Sequence, residues 1–205
     1  MKRTFITLIL CTVAFAGFSQ TLSYGIKAGF NLSWQTINNN SYHLVNYQDK
    51  PGFNAGFIAD INFGNISIQP ALTFTTKGFI SPKQVVPLSN QNEYVAPRET
   101  YVLNYLQLNA NVVYNLKASS MVTVQLGAGP YYAYGISAHE NNRSDNFDND
   151  PYKNPDVGIG FIAGAKIGKH VLANVSYDLC LSNLSGVGGN IKNRVAGVSL
   201  GYLFR

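Results

Sequence analysis

The sequence predicts an all-β fold, an eight-stranded antiparallel up-and-down β-barrel that crosses a membrane. Three observations predict it: eight stretches of alternating apolar and polar residues, connections that alternate between long and short, and a scarcity of charge. Charged residues make up 12% of the chain, roughly half their share in soluble domains. Aromatic residues make up 13%, which excludes global disorder and indicates that much of the surface avoids water.

Residues 1–19 are predicted to be a cleavable signal peptide, which leaves residues 20–205 as one barrel domain. Lys2 and Arg3 form a positive start, an apolar stretch follows to Phe18, and Gly17 and Ser19 offer a small-x-small cleavage site. Ala14-Phe15-Ala16 is a second candidate cleavage site. The apolar stretch is shorter than the ~20 residues that a membrane-spanning helix needs.

Cleavage has two consequences for composition. Cys11 would be lost, and Cys180 would be the only cysteine left, so no intrachain disulfide is expected. A lipoprotein signal at Cys11 is disfavoured because Leu10 stands where a small residue is needed. The formal charge of +5 falls to +3 without Lys2 and Arg3 (5 − 2), which is too little to indicate a nucleic-acid partner.

The eight alternating stretches define the predicted strands. They span residues 22–34, 52–63, 66–79, 106–115, 122–136, 157–167, 171–181 and 196–204. Long connections cover residues 35–50, 81–99, 138–156 and 183–192, and short ones 64–65, 117–120 and 168–170. Long loops at one end and tight turns at the other are typical of outer-membrane barrels, and an even strand count lets the last strand pair with the first.

The composition of the polar face predicts which face looks outward. That face is rich in Gly, Asn, Ser, Thr and Gln, with few charges. The interior of an eight-stranded barrel is only wide enough for side chains, so small residues are expected there. Apolar side chains such as Phe57, Leu108 and Val175 should therefore face lipid, and Gly56, Asn109 and Ser176 the interior.

A set of charged residues falls on the predicted inner face: Lys27, Asp60, Lys77, Lys166 and Asp178. Because an unpaired charge there is costly, the lysines are expected to pair with Asp60 and Asp178. Bulky inward residues add to this network and predict a closed lumen: Ile58, Val113, Tyr131, Ile162, Leu172 and Leu203. An ion path along the charges is the alternative.

Aromatic residues on the predicted outer face form two belts, as expected at the headgroup levels of a bilayer. Tyr24, Phe63, Tyr114, Tyr202 and Phe204 lie toward the short turns. Trp34, Phe53, Tyr132 and Tyr134 lie toward the long loops. Ordinary packing of aromatic side chains across strands is the alternative.

The motifs that suggest chemistry are weak. Residues 158–163 spell a dinucleotide fingerprint, but inside a predicted strand with no helix to hold a pyrophosphate. Residues 145–150 form an acidic loop that lacks the Gly and Glu of a calcium-binding EF-hand loop. His43, His139 and His170 fall in predicted loops or turns, with His170 at the opposite end of the barrel from the other two. No catalytic, cofactor-binding or metal site is therefore expected.

At the level of motifs, the chain resembles a family of small outer-membrane β-barrels common in Bacteroidetes, which includes PorT-like and "porin family" proteins. The resemblance rests on the signal peptide, the eight strands, Gly-Phe steps such as Gly29-Phe30 and Gly56-Phe57, and the terminal segment Leu200–Arg205. It implies insertion by the barrel-assembly machinery, which reads a C-terminal aromatic strand. Here Phe204 is penultimate and Arg205 ends the chain.

Three functional hypotheses follow. In the first, the barrel is a non-enzymatic scaffold in outer-membrane lipid that presents loops to an extracellular or envelope protein, or that serves in a secretion machine. Candidate loop contacts are Tyr42, His43, Tyr47, Tyr94, Arg98, Phe147 and Tyr152. The second is an outer-membrane enzyme acting on lipid, and the third a secreted soluble barrel that binds an apolar ligand. A small pore is a further alternative to the closed lumen.

Overall fold

The computed structural model describes residues 21–38, 48–87, 93–140, 143–145, 154–184 and 190–204. Eleven strands lie in these ranges: β1 (Thr21–Asn38), β2 (Gln48–Asn62), β3 (Ile66–Ser81), β4 (Gln84–Pro87), β5 (Glu93–Ala96), β6 (Glu99–Lys117), β7 (Val122–Glu140), β8 (Arg143–Asp145), β9 (Asp156–Ile167), β10 (Val171–Cys180) and β11 (Asn190–Leu203). Within the described residues, no helix is long and apolar enough to cross a membrane.

Eight of the strands close into a barrel. β1, β2, β3, β6, β7, β9, β10 and β11 pair in chain order, every pair is antiparallel, and β11 returns to pair with β1. The predicted eight-stranded antiparallel barrel is confirmed. Closure satisfies the backbone of both terminal strands, so no edge is left for lipid to solvate.

The short connections lie at one end of the barrel. Gly64 and Gly168 adopt φ of +89° and +61° in the β2–β3 and β9–β10 turns, a left-handed conformation that glycine adopts without steric cost. The chain ends at the same end, where the Phe204 amide donates to the Tyr24 carbonyl over 2.8 Å. The four long connections lie at the other end.

The outer face is apolar and the inner face is polar. Phe57, Leu108 and Val175 are 69%, 53% and 54% exposed, whereas Gly56, Asn109 and Ser176 on the opposite parity are half-buried. The predicted orientation is confirmed. A soluble barrel with an apolar interior does not fit this arrangement, because its apolar face would point inward.

Several strands extend further toward the long-loop end than the sequence predicts. β6 begins at Glu99 where residue 106 was predicted, and β11 begins at Asn190 where residue 196 was predicted. The long β3–β6 connection contains the two-stranded hairpin of β4 and β5, and β8 adds a short strand beside β7. His139, predicted to lie in a loop, lies in β7.

Candidate functional site

The half of the interior near the long loops holds a fully buried ion pair. Lys77 on β3 points across the barrel to Asp156, the first residue of β9, and their Nζ and Oδ2 atoms are 2.9 Å apart with both side chains 0% exposed. Asn193 donates to the same carboxylate oxygen over 3.0 Å, and the Tyr131 hydroxyl donates to Oδ1 over 2.9 Å. Three donors from three other strands thus compensate the desolvation of Asp156.

Two aromatic rings enclose the ammonium group of Lys77. Its Nζ lies 5.1 Å from the centre of the Tyr105 ring and 4.8 Å from that of Tyr131, within cation–π range. The pair of rings removes water from the lysine while the ring faces stabilise its charge. Tyr131 therefore serves both sides of the ion pair, through its ring and through its hydroxyl.

An apolar cluster packs around this ion pair at the long-loop end of the barrel. Its buried members are Phe79, Leu103, Tyr105, Tyr131, Ala133, Ala138, Cys180 and Leu184. Phe79 stacks on Tyr101 with ring centres 4.6 Å apart and planes 11° apart. Because the residues come from β3, β6, β7 and β10 and the segment after it, the cluster ties opposite walls of the barrel together.

The middle of the interior is polar and holds a cavity of ≈ 40 Å³. Lys27 and Asp178 line it, and Asp178 accepts a hydrogen bond from Gln107 Nε2 over 2.8 Å. Amide oxygens that face no protein donor also line the cavity, on Asn31, Gln69, Gln107, Asn111 and Asn174. A cavity of this size and polarity accommodates a few water molecules.

The end of the interior near the short turns has a second ion pair. Lys166 Nζ lies 2.8 Å from Asp60 Oδ2, and Gln69 Nε2 donates to Asp60 Oδ1 over 3.3 Å. A small apolar cluster of Ile58, Ala71, Leu172 and Leu203 is buried in the same half. Side chains from opposite walls therefore meet at both ends of the interior.

The five charges predicted for the inner face all lie on it, but their pairing differs from the prediction. Lys166 pairs with Asp60, whereas Lys77 pairs with Asp156 and not with Asp60 or Asp178. Among the described residues, Lys27 forms no ion pair with Asp178. Asp156 is not among the predicted inner-face charges because it ends the predicted connection 138–156. Contacts across a barrel interior depend on strand stagger, which alternation does not reveal.

The predicted belt residues lie on the outer face. Trp34 is half-buried. The other eight are exposed: Tyr24, Phe53, Phe63, Tyr114, Tyr132, Tyr134, Tyr202 and Phe204. Tyr24 and Tyr202 pack on Phe204 with ring centres 6.1 and 5.9 Å apart. Trp34 packs on Tyr177, with 6.1 Å between ring centres, and Tyr177 is not one of the predicted belt residues.

Many of the predicted loop contacts lie outside the described residues or have side chains that the structure does not describe. This holds for Tyr42, His43, Tyr47, Tyr94, Phe147 and Tyr152, and for most of the acidic loop 145–150. Arg98 is described: its Nη2 donates to Gln48 Oε1 over 3.3 Å, which joins the β5–β6 connection to β2. Residues 1–19 and Arg205 also lie outside the described ranges.

Comparison with known proteins gives one family and several similar folds. Residues 18–186 match the family described as "Outer membrane protein beta-barrel domain". Neisserial surface protein A (NspA) is similar with a TM-score of 0.53 and 14% identity over 89% of this chain and 98% of that chain. No curated protein sequence matches the chain at a significant level.

Two further solved structures are less similar. Ail, the attachment invasion locus protein of Yersinia pestis, in complex with the heparin analogue sucrose octasulfate, has a TM-score of 0.44 and 14% identity over 89% of this chain and 99% of that chain. The outer membrane protein OprG from Pseudomonas aeruginosa has a TM-score of 0.44 and 12% identity over 91% and 97%. At these identities the likeness to solved structures concerns the fold alone.

Proposed function

Because this chain belongs to the outer membrane protein beta-barrel domain family, we propose that it is a non-enzymatic scaffold with a closed lumen that holds a rigid platform outside the outer membrane. The platform presents the long loops to a protein partner outside the cell or in the envelope. The Gly-Phe steps and the terminal segment Leu200–Arg205 support placing it near the small Bacteroidetes barrels, and residues 1–19 are proposed as the export signal.

The observation that carries the proposal is the length of the barrel wall at the loop end. A transmembrane β-strand needs about 9–11 residues, yet β6 and β7 have 19 residues each. Several residues of each strand therefore extend beyond the bilayer. On the β3–β6 side the wall continues into the β4–β5 hairpin, and Arg98 joins that connection to β2.

The apolar cluster at this end supports the same proposal. Apolar side chains on the lipid-facing surface gain nothing from hydrophobic burial, because lipid tails are as apolar as leucine. The cluster around Phe79, Leu103 and Tyr131 lies at the extracellular end, where water is the competing environment and burial of apolar surface is favourable. It rigidifies the part of the wall that carries the loops.

The layers inside the barrel support a closed lumen. The Lys77–Asp156 pair with Tyr105 and Tyr131 crosses the interior at one level, and Lys166–Asp60 crosses it at another. Between them lies the cavity of ≈ 40 Å³. We assign these charges a structural role in preference to an ion path, since each is engaged by fixed partners.

A lipid-acting enzyme is the competing function. Among the described residues, His170 is held by a 2.8 Å contact between its Nδ1 and the Leu203 carbonyl, and it stacks on Tyr202. These contacts fit a histidine that fastens the C-terminal strand. Incubation of the folded protein with phospholipid in detergent is expected to release no fatty acid, and release that scales with protein would favour the enzyme.

Cysteine labelling on intact cells tests the platform. Lys83 is exposed in the β3–β4 connection and Ser120 is exposed in the short β6–β7 turn. A Lys83→Cys variant is expected to react with a membrane-impermeant maleimide on intact cells, and a Ser120→Cys variant only after the membrane is permeabilised. The buried Cys180 provides the unreactive background. The reverse pattern would overturn the assignment of the long loops to the exterior.

A further inference from the structure

Two basic residues face outward at the long-loop rim of the barrel, which the proposed function places outside the cell. Lys192 and Arg194 alternate along β11 with Asn193 and Val195, whose side chains are buried in the interior. The two cations therefore point away from the lumen. We propose that they bind the phosphate group of an anionic lipid in the outer leaflet.

Neighbouring side chains hold the guanidinium of Arg194 against the wall. Its Nη1 donates to the Tyr177 hydroxyl over 3.0 Å, and its Nε donates to Thr36 Oγ1 over 3.2 Å. Trp34, its register partner on β1, packs on Tyr177. An arginine fixed in this way loses little side-chain entropy when it binds a ligand, and its planar fork matches phosphate oxygens.

The site lies at the depth of the lipid headgroups. Trp34 is ten residues from Tyr24 along β1. At about 3.4 Å per residue and a tilt of about 40°, ten residues rise about 26 Å, close to the ~25 Å apolar band of such barrels. Tyr24 marks the headgroup level at the short-turn end, so Trp34 and Arg194 mark the opposite one.

Neither cation has a protein counter-ion within the part of the chain that the structure describes. Among the described residues, the only ion pairs are Lys77–Asp156 and Lys166–Asp60, both inside the barrel. Asp49, which lies on β2 near Trp34, forms none. Cations at a lipid boundary are partly desolvated, and an anion that reaches Arg194 and Lys192 together removes that cost.

The surroundings favour a lipid over a free anion. Leu32 and Val198 lie on the outer face just below the site and are 49% and 55% exposed. A ligand with a phosphate at one end and hydrocarbon at the other satisfies both the cations and this apolar surface. Inorganic phosphate would satisfy only the cations.

Trp34 is the only tryptophan of the chain, so its fluorescence reports on this site alone. The mature protein is folded into phosphatidylcholine vesicles that contain a fraction of phosphatidic acid, with bromine on the acyl chains of one lipid at a time. Preferential quenching of Trp34 by brominated phosphatidic acid gives the binding constant of phosphatidic acid relative to that of phosphatidylcholine. We expect a preference of about 25-fold, since each basic side chain near an anionic surface contributes about 1 kcal/mol, or about fivefold.

Variants assign the preference to the two cations. Arg194→Gln and Lys192→Gln are each expected to lower it about fivefold, and the double variant to abolish it. Lys169→Gln, in the β9–β10 turn at the opposite end, should leave it unchanged. A gel shift on boiling verifies that each variant is folded.

Three results would overturn the proposal. The first is equal quenching by the two brominated lipids in the unmodified protein. The second is a preference that survives in the double variant. The third is its removal by millimolar inorganic phosphate at constant ionic strength, which would identify a site for the free ion.

Discussion

Lys77 and Asp156 form an ion pair inside the barrel although 79 positions separate them in the chain, and neither side chain is reached by solvent. Each is the main counter-charge of the other. Breaking such a pair leaves a buried charge without compensation, whereas removing both partners does not.

A Lys77→Met variant is therefore expected to lose about 3–5 kcal/mol of unfolding free energy, and a Lys77→Met/Asp156→Leu double variant to recover most of it. Urea unfolding from lipid vesicles, followed by Trp34 fluorescence and circular dichroism, measures both. Lys166→Met is the matched control and should cost less, because the Lys166 side chain is 17% exposed and keeps part of its hydration. Equal losses of unfolding free energy in Lys77→Met and Lys166→Met would argue against a special role for the Lys77–Asp156 pair.

Arginine substitutions on the outer face test its contact with lipid. Leu200 pairs with Ala28 between the two aromatic belts and is 66% exposed, so a Leu200→Arg variant should lose about 2–4 kcal/mol of unfolding free energy. Leu22 lies beyond Tyr24 at the short-turn end, and Leu22→Arg should lose only about 0–1 kcal/mol. A small, equal effect at both positions in vesicle unfolding would mean that water and not lipid covers this face.

Gly158 lies where a side chain has no room. A methyl group built there would press on the Leu179 carbonyl oxygen and come within 2.7 Å of the Tyr131 ring. Gly158→Ala is expected to destabilise the protein by about 1–3 kcal/mol, since overpacking displaces Tyr131 from Asp156. Gly201→Ala should be milder, because its nearest neighbours are 3.3 Å or more away. Thermal melting in detergent ranks the two variants.

Cys180 is buried in the apolar cluster and is a free thiol. We expect it to be unreactive toward an aromatic disulfide reagent in the folded mature protein, which lacks Cys11, and to react with a stoichiometry of about one per chain in denaturant, because the thiolate needs access to water. Absorbance of the released thiolate measures this. Rapid reaction in the folded state would show that the apolar cluster at the long-loop end opens readily.

The sequence predicts the membrane-embedded part of the barrel well. There, lipid outside and a narrow polar interior require strict alternation, and Phe57, Leu108 and Val175 all follow it. Beyond the bilayer this requirement ends. β6 continues to Glu99 through Tyr101, Val102 and Leu103, a run without alternation, and a bulge between Asn104 and Tyr105 shifts its register with β7. The sequence pattern therefore predicts a loop where the structure has this extension.

The inner-face charges were predicted as a set, but their partners were not. Alternation along β3 places Lys77 in the interior. Its partner depends on the stagger of the strands and on which side chain extends across the interior to it. The sequence pattern does not single out Arg194 for a similar reason: its site is formed by Thr36, Trp34 and Tyr177 from two other strands, and only the register brings them together.

Single-channel recording in planar bilayers tests the closed lumen, the central claim of this account. The folded protein is expected to give no stable conductance steps, because the Lys77–Asp156 and Lys166–Asp60 layers cross the interior on either side of a cavity of only ≈ 40 Å³. Stable steps on the nanosiemens scale from the unmodified protein would contradict it.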